Sequence, residues 1–193
     1  MLAKRAAPQR AHGAANRVRI IGGQYRRRLL DFPDGAGLRP TPDRVRETLF
    51  NWLGQELTGL HCLDLFAGSG ALGVEAHSRG AASVTLVEQN PAVQRALADN
   101  ARALDAGRAR LVRSDALQFL ASDTQRFDVI FLDPPFGQEW LDRLLPRLPE
   151  HLAAGGRVYV ESEKPLVDQG GWRVIKHGKA GNVCYHLLEF AHV

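Results

Sequence analysis

The chain has 193 residues, of which 45% are hydrophobic and 24% charged, which is the size and apolar content of one α/β domain. No apolar run approaches the roughly 18 residues that span a bilayer, and no apolar segment follows the basic N-terminus, so we expect neither a membrane span nor a secretion signal. Cys62 and Cys184 lie far apart without metal-ligand spacing. We therefore expect no metal site, no disulfide framework and a reduced, cytoplasmic location.

The net charge of +4 is unevenly distributed along the chain. Residues 1–30 contain eight Lys or Arg and no Asp or Glu, which leaves 17 basic and 21 acidic residues in the remainder. A positive end on a mildly acidic body indicates a polyanionic partner, because phosphate neutralisation with counterion release dominates nucleic-acid affinity. Residues 1–16 are Ala-rich and unpatterned, and we predict a disordered basic tail there. A plain solvated tail and an organellar transit peptide stay open as alternatives.

The first predicted elements form an N-terminal extension over residues 17–57. Two short runs of mixed apolar and basic residues flank Gly22 and Gly23, which predicts a hairpin or a strand pair with a bulge. Beyond a connection rich in Pro and Gly, Thr41 is a candidate N-cap and Pro42 a first helical residue, so we predict a helix over Pro42–Leu57. The hairpin would present five arginines to a polyanion: Arg17, Arg19, Arg26, Arg27 and Arg28.

From residue 58 to 193 the sequence alternates apolar strands with helices, which specifies a mainly parallel sheet covered on both faces. We predict a Rossmann-like α/β domain with a seven-stranded sheet whose C-terminal hairpin forms an antiparallel edge. The predicted strands are His61–Phe66, Ser83–Glu88, Arg110–Arg113, Phe127–Leu132, Arg157–Glu161, Trp172–His177 and Val183–Phe190. The predicted helices are Gly70–Arg79, Pro91–Leu104, Ala116–Ala121 and Trp140–Leu152.

A glycine-rich turn follows the first strand of this domain. Gly68 and Gly70 belong to a G-x-G-x-x-G run at a strand-to-helix junction, where glycine lets the backbone approach a ligand closely. Glu88 ends the next strand, where a carboxylate can accept both hydroxyls of a ribose. The pattern fits a dinucleotide site, and hence an NAD-dependent oxidoreductase, as well as an S-adenosylmethionine site.

Asp64 favours S-adenosylmethionine. A carboxylate just before the glycine turn can hold the cationic amino-acid end of that cofactor, whereas it would repel a pyrophosphate. The run from Asp64 to Gly70 also resembles the first motif of class I S-adenosylmethionine methyltransferases. Such enzymes place an acid against the adenine amino group at the position of Asp115, although Asp115 also fits a helix N-cap. The NAD-dependent oxidoreductase becomes the alternative.

The turn Asp133-Pro134-Pro135-Phe136 follows the apolar strand that ends at Leu132. Consecutive prolines fix φ and remove two N–H donors, so the Asp133 carboxylate and the Pro134 carbonyl are rigid acceptors. Two such acceptors can bind both protons of an exocyclic base amine and orient its lone pair toward a methyl donor. Phe136 can stack on a flipped base. This turn predicts methyl transfer to a nucleobase amine.

With these motifs, the chain from Arg17 onward resembles the RsmD family, bacterial guanine-N2 methyltransferases of small-subunit (16S) ribosomal RNA. The most specific segments are Arg19–Arg26 and Leu38–Leu53. The resemblance implies small-subunit RNA or the assembled particle as the partner, which the five arginines would contact, and we expect the chain to be a monomer. It also implies a base site at Asp133, Pro134 and Phe136. Cofactor contacts are implied for Arg39, Thr41, Asp64, Gly68, Gly70, Glu88 and Asp115.

The D-P-P-F turn also serves adenine-N6 methylation of DNA in other enzymes, so the base depends on the resemblance. A chain without a separate target-recognition domain has little surface for reading a DNA sequence. A folded RNA can instead be recognised by its shape. A non-catalytic RNA-binding factor that retains the fold is a further alternative.

Overall fold

The computed structural model describes residues 16–33, 38, 40–107, 109–137 and 139–191. Strands in that part of the chain form a two-stranded sheet and a seven-stranded sheet. The strands are β1 Asn16–Arg19, β2 Leu29–Phe32, β3 His61–Asp64, β4 Ser83–Val87, β5 Ala109–Val112, β6 Phe127–Leu132, β7 Leu152–Ser162, β8 Trp172–Ala180 and β9 Val183–Phe190. The helices are α1 Asp43–Leu53, α2 Gly73–Ser78, α3 Pro91–Ala103, α4 Ala116–Ser122 and α5 Trp140–Leu144, with a 3₁₀ turn over Leu148–His151.

The large sheet has the strand order β5-β4-β3-β6-β7-β9-β8. The first five of these strands are parallel, and β9 runs antiparallel to both β7 and β8. The predicted Rossmann-like fold, a seven-stranded, mainly parallel sheet with an antiparallel C-terminal edge, is therefore confirmed. The chain reverses its direction of winding between β3 and β6, and ligands of open α/β sheets bind at the carboxyl ends of such strands.

Two hydrophobic clusters cover the two faces of the sheet. One joins Phe50 of α1 and Val74 of α2 to Phe131 of β6. The other joins Phe119 of α4 and Leu144 of α5 to strand residues on the opposite face. Because both faces are covered, five of the six residues of β6 are buried, which explains its nearly continuous apolar sequence.

The helix predicted over Trp140–Leu152 is wrong. The structure has the short helix α5 and a separate 3₁₀ turn, and Leu152 already belongs to β7. Pro146 and Pro149 lie in this segment. Each proline lacks an N–H donor and clashes with the preceding helical turn, so a continuous helix cannot form.

Glycines account for two smaller differences at helix ends. The helix predicted to reach Leu57 ends at Leu53, because Gly54 adopts a left-handed C-cap with φ of 95°. The helix predicted from Gly70 begins at Gly73, because Gly70 has φ of 82° and belongs to the turn.

The predicted N-terminal hairpin is present as the β1–β2 pair, with Val18 opposite Leu30. A long connection over residues 20–28 joins the two strands. The predicted tail lies outside the described residues, apart from Asn16, which begins β1. The hairpin is fixed to α3 because the Asn100 side chain donates to the Asp31 carbonyl (2.8 Å) and accepts from the Asp31 N–H (3.1 Å).

A buried carboxylate fastens the hairpin to both α1 and α2. The Glu75 side chain is fully buried and accepts hydrogen bonds from the N–H groups of Ile21 (2.9 Å) and Gly22 (2.7 Å). It also accepts from the guanidinium groups of Arg46 (3.2 Å) and Arg79 (2.9 Å). Removing one partner from such a buried ionic network leaves an uncompensated charge, so the network holds three elements in one arrangement.

Within the described residues, no helix is long and apolar enough to span a bilayer. In the same part of the chain, no group of three or more His, Cys, Asp or Glu side chains is placed to hold a metal ion.

Candidate active site

A cavity of about 540 Å³ opens at the carboxyl ends of β3, β6 and β7. The glycine turn forms one wall, the segment before α1 forms another, and the D-P-P-F turn closes a third side. The lining includes six residues predicted from sequence: Thr41, Asp64, Gly68, Asp133, Pro134 and Phe136.

The glycine turn has the backbone conformation that its sequence requires. Gly68 and Gly70 both have positive φ, of 49° and 82°. The N–H of Gly68 donates to the Glu88 carboxylate (3.1 Å), which also accepts from the N–H of Asn90 (2.7 Å). Glu88 therefore links the glycine turn to the beginning of α3.

The second and third glycines serve packing. A Cβ atom on Gly70 would lie 2.8 Å from Leu97, and one on Gly73 would lie 2.2 Å from Leu86. Neither residue is among those that line the cavity. These glycines bring α2 and α3 close to the sheet, and Gly68 forms the wall of the cavity.

Asp64 ends β3 beneath the cavity and is 1% exposed. Its carboxylate accepts hydrogen bonds from the N–H groups of Gly73 (2.9 Å) and Phe66 (3.4 Å). The pKa of Asp64 is raised to about 7, chiefly by burial and to a smaller extent by the charges of Glu88 and Glu161, while those two hydrogen bonds lower it in part. Among the described residues Asp64 has no ion-pair partner.

Asp133 follows β6 directly and faces the same cavity. Its carboxyl group accepts no hydrogen bond from the described part of the chain. Desolvation raises its pKa well above the ordinary value, and the charges of Glu161 and Asp64 add to the shift. Pro134 beside it is buried, whereas Phe136 is 44% exposed at the mouth of the cavity.

Glu161 is a third cavity acid, which sequence reasoning missed. It is 4% exposed, and its Oε1 atom accepts hydrogen bonds from the hydroxyl groups of Thr41 (2.6 Å) and Tyr159 (3.0 Å). Burial raises the pKa of Glu161, and these two hydrogen bonds lower it in part. The signal in the sequence is an acid directly after an apolar strand, the same pattern that identified Asp133.

Three acids around one cavity, of which Asp64 and Glu161 are buried and Asp133 is half-buried, fit a cationic ligand. Asp64, Asp133 and Glu161 carry raised pKa values because burial disfavours their charged forms, and no cation among the described residues pairs with them. A ligand that brings a sulfonium and an ammonium group would offset this charge. The acidic lining of the cavity therefore suits S-adenosylmethionine.

Of the two candidate helix caps, Thr41 is wrong and Asp115 is present in the structure. Thr41 does not cap α1, because its hydroxyl donates to Glu161 and the N-cap residue is Pro42, without a side-chain cap. Asp115 does cap a helix, since its Oδ1 atom accepts from the N–H groups of Leu117 (2.9 Å) and Gln118 (3.3 Å) at the start of α4.

Glu88, Asp115 and Arg39 are the remaining residues predicted to contact the cofactor. Glu88 and Asp115 follow β4 and β5 at the same edge of the sheet as the cavity but do not line it. Arg39 is not among the described residues.

The five predicted arginines are exposed but spread over a long surface. Arg17 pairs with Asp31 (2.8 Å), and Arg19 pairs with Asp43 (2.8 Å) at the start of α1. Arg28 donates to the carbonyl of Ala103 (3.1 Å), the last residue of α3.

Arg26, Arg27 and Arg28 lie at the amino ends of the strands, opposite the cavity. Their loop rests on the C-terminal end of α2, where the N–H of Gln24 donates to the Ser78 carbonyl (2.7 Å). Helix α3 has 13 residues and runs from the cavity edge of the sheet to the opposite edge, about 20 Å away. The structure therefore separates these arginines from the predicted base site.

Comparisons with known proteins agree with this geometry. The family model "Conserved hypothetical protein 95" matches residues 18–189. The chain is 46% identical to the Ribosomal RNA small subunit methyltransferase D of Escherichia coli strain K12, over 92% of each chain. The solved structure of the Escherichia coli protein yhhF superimposes with a TM-score of 0.83 and 46% identity, over 91% of this chain and 99% of that chain.

A second solved structure adds a bound cofactor. It is the Thermus thermophilus 16S rRNA N2 G1207 methyltransferase (RsmC) in complex with AdoMet and guanosine. It matches 98% of this chain and 53% of its own chain, with 26% identity and a TM-score of 0.71. The extent of the family match and the identity to the Escherichia coli relative show that this chain belongs to the RsmD family of ribosomal RNA small subunit methyltransferases.

Proposed function

We propose that this chain is an S-adenosylmethionine-dependent methyltransferase that methylates the exocyclic N2 amine of a guanine in small-subunit (16S) ribosomal RNA. The observation that carries the proposal is Asp133, a carboxylate with no hydrogen-bond donor among the described residues, held by two prolines at the edge of a cavity. Residues 58–193 form the methyltransferase domain, and residues 17–57 form an RNA-binding extension.

S-adenosylmethionine supplies an electrophilic methyl group on a sulfonium. In the proposal Asp64 binds its ammonium group, since this buried carboxylate has no ion-pair partner among the described residues and a cation would stabilise its charged form. The turn at Gly68 approaches the cofactor through its backbone, and Thr41 and Arg39 contribute from the segment before α1. Glu88 accepts from the ribose hydroxyls, and Asp115 uses its second carboxylate oxygen for the adenine amino group.

Asp133 and the Pro134 carbonyl act on the methyl acceptor. An exocyclic base amine is a poor nucleophile because its lone pair is delocalised into the ring. Two fixed acceptors that bind both N–H protons turn the nitrogen lone pair out of that plane and stabilise the positive charge that develops on nitrogen. Asp133 also accepts a proton from the methylated amine, since burial has raised its pKa.

RNA binding is supported by three features of the chain. Phe136 presents an exposed aromatic ring at the mouth of the cavity, where a flipped base can stack. The arginines of the hairpin supply phosphate contacts over a long surface, which suits a folded RNA read by shape. The names of the relatives, and the guanosine bound to the Thermus thermophilus enzyme, point to guanine in small-subunit RNA. We infer a monomer that acts on the RNA or on the assembled particle.

The test is tritium transfer from labelled S-adenosylmethionine to small-subunit RNA and to small-subunit particles, followed by identification of the labelled nucleoside. N2-methylguanosine is the expected product. Asp133→Ala should lower transfer by at least about a thousandfold and leave cofactor affinity within a few-fold, because it removes an acceptor used by the transition state. Label found only in adenine, in DNA or in protein would reject the proposal. Cofactor binding without transfer to any RNA would favour a non-catalytic binding factor.

A further inference from the structure

The second acid of the base site is Glu161, on the strand beside the one that carries Asp133. In the parallel pairing of β6 with β7, Leu132 lies opposite Val160. Asp133 follows Leu132 and Glu161 follows Val160, so the two acids come next to each other where these neighbouring strands, about 5 Å apart, reach the cavity. Both line the cavity.

The two carboxylate oxygens of Glu161 differ in their hydrogen bonds. The Oε1 atom accepts from Thr41 and Tyr159, whereas Oε2 accepts no hydrogen bond from the described residues. A carboxylate can accept about four hydrogen bonds. The two hydroxyl groups therefore orient Glu161 and leave its second oxygen available to a ligand in the cavity.

Guanine has two adjacent kinds of donor on one edge, the N1–H of the ring and the N2 amine. Adenine and cytosine also carry an exocyclic amine, but their neighbouring ring nitrogen is an acceptor. Two carboxylates side by side can satisfy the guanine edge, and a carboxylate opposite an acceptor nitrogen would be repelled and left unpaired.

We propose that Glu161 accepts the N1–H of the target guanine while Asp133 and Pro134 hold its N2 amine, which makes Glu161 the residue that selects guanine. The inference rests on the proposed function, because it places a guanine edge against Asp133. Glu161 is a specificity-determining residue in this scheme and takes no part in the transfer of the methyl group.

The test uses 2-aminopurine, which keeps the 2-amine of guanine but has an acceptor at N1. The methyl label is first mapped to its position in small-subunit RNA, and RNA that carries guanine or 2-aminopurine at that position is then offered to the wild-type chain and to Glu161→Gln. The wild type should prefer guanine over 2-aminopurine by about a hundredfold in kcat/KM. With 2-aminopurine the Glu161 carboxylate loses a charged hydrogen bond and faces an acceptor nitrogen. Glu161→Gln should narrow this preference to within about fivefold, because an amide can donate to the acceptor nitrogen.

Tyr159→Phe is the matched control. It removes one of the two hydrogen bonds to Oε1, while the shorter bond from Thr41 still orients the carboxylate and Oε2 is unchanged, so the preference for guanine should remain. A purely structural Glu161 would give Glu161→Gln equal losses on both RNAs, and an unchanged ratio overturns the inference. A wild-type chain that methylates 2-aminopurine as fast as guanine overturns it even if the variant does not fold. The proposed function fails separately, if the wild type transfers no methyl group to guanine N2.

Discussion

Replacing Asp64 with asparagine tests whether cofactor binding depends on a carboxyl group that changes its charge. In the ligand-free protein, burial raises the pKa of Asp64 to about 7. At pH 6 about nine tenths of the molecules then carry a protonated Asp64, and at pH 8 about one tenth do. The ammonium group of S-adenosylmethionine favours the charged form of Asp64, so its binding lowers this pKa and releases the proton.

The expected release from Asp64 is about 0.9 proton per bound cofactor at pH 6 and about 0.1 at pH 8. Isothermal titration calorimetry in buffers of different ionisation enthalpy measures this number directly. Asp133 and Glu161 also have raised pKa values, so the contribution of Asp64 is the difference between the wild type and Asp64→Asn. That difference should be close to 0.9 at pH 6 and nearly vanish at pH 8.

The same variant should bind the cofactor about 10- to 100-fold more weakly at pH 8, where the wild-type carboxylate is charged, because it loses a charged hydrogen bond. An asparagine oxygen can still accept from the N–H of Gly73, so we expect the variant to fold. Equal proton release by the two proteins at pH 6, or an unchanged affinity at pH 8, would show that Asp64 does not meet the cation.

Three further predictions concern the buried network around Glu75, the packing of α2 on the sheet and the charge of the N-terminal extension. Glu75→Gln should lower the free energy of unfolding by about 3–5 kcal/mol in urea titrations, because it removes the buried charged partner of two arginines. The control Glu47→Gln, at an exposed site on α1, should change that free energy by less than about 0.5 kcal/mol, and equal effects of the two variants would refute the role of the network. Gly73→Ala should cost about 1–3 kcal/mol in the same assay, since its Cβ would lie 2.2 Å from Leu86, whereas Gly107→Ala has open space around it and should be nearly neutral. Arg26→Ala should weaken RNA binding and make the slope of log affinity against log salt concentration shallower by up to about 0.9, while the control Arg173→Ala on β8 should leave that slope unchanged. An unchanged slope in Arg26→Ala would exclude a phosphate contact at this residue.

The sequence predicts the sheet well because a strand that is buried on both faces is a run of consecutive apolar residues. Strand β6 is an unbroken apolar run, and its predicted and observed bounds coincide. The glycine turn and the D-P-P-F turn are also local, since their backbone conformations follow from residue type. These features place Asp64, Gly68 and Asp133 on one edge once the strands are known to be parallel.

The features that sequence reasoning missed depend on distant contacts. Glu75 is a single acid in a helix, and its role follows only from bonds to Ile21 and Gly22, more than 50 residues away in the chain. The buried position of Glu161 depends on Thr41, 120 residues away. Hydrophobic periodicity shows which face of an element is covered, but it does not identify the partner that covers it.

The loop of Arg26–Arg28 and the cavity lie at opposite edges of the sheet, separated by about the length of α3, which is about 20 Å, and this separation sets a minimum size for the substrate. A free guanine nucleotide reaches only the cavity, so it gains nothing from the distant arginines. An RNA that reaches both has to extend over several nucleotides, along a stacked strand or a folded path. In the proposed function the protein therefore selects its substrate by length. The abundant mononucleotides of a cell stay unmethylated, and the methyl group goes to a long, structured RNA.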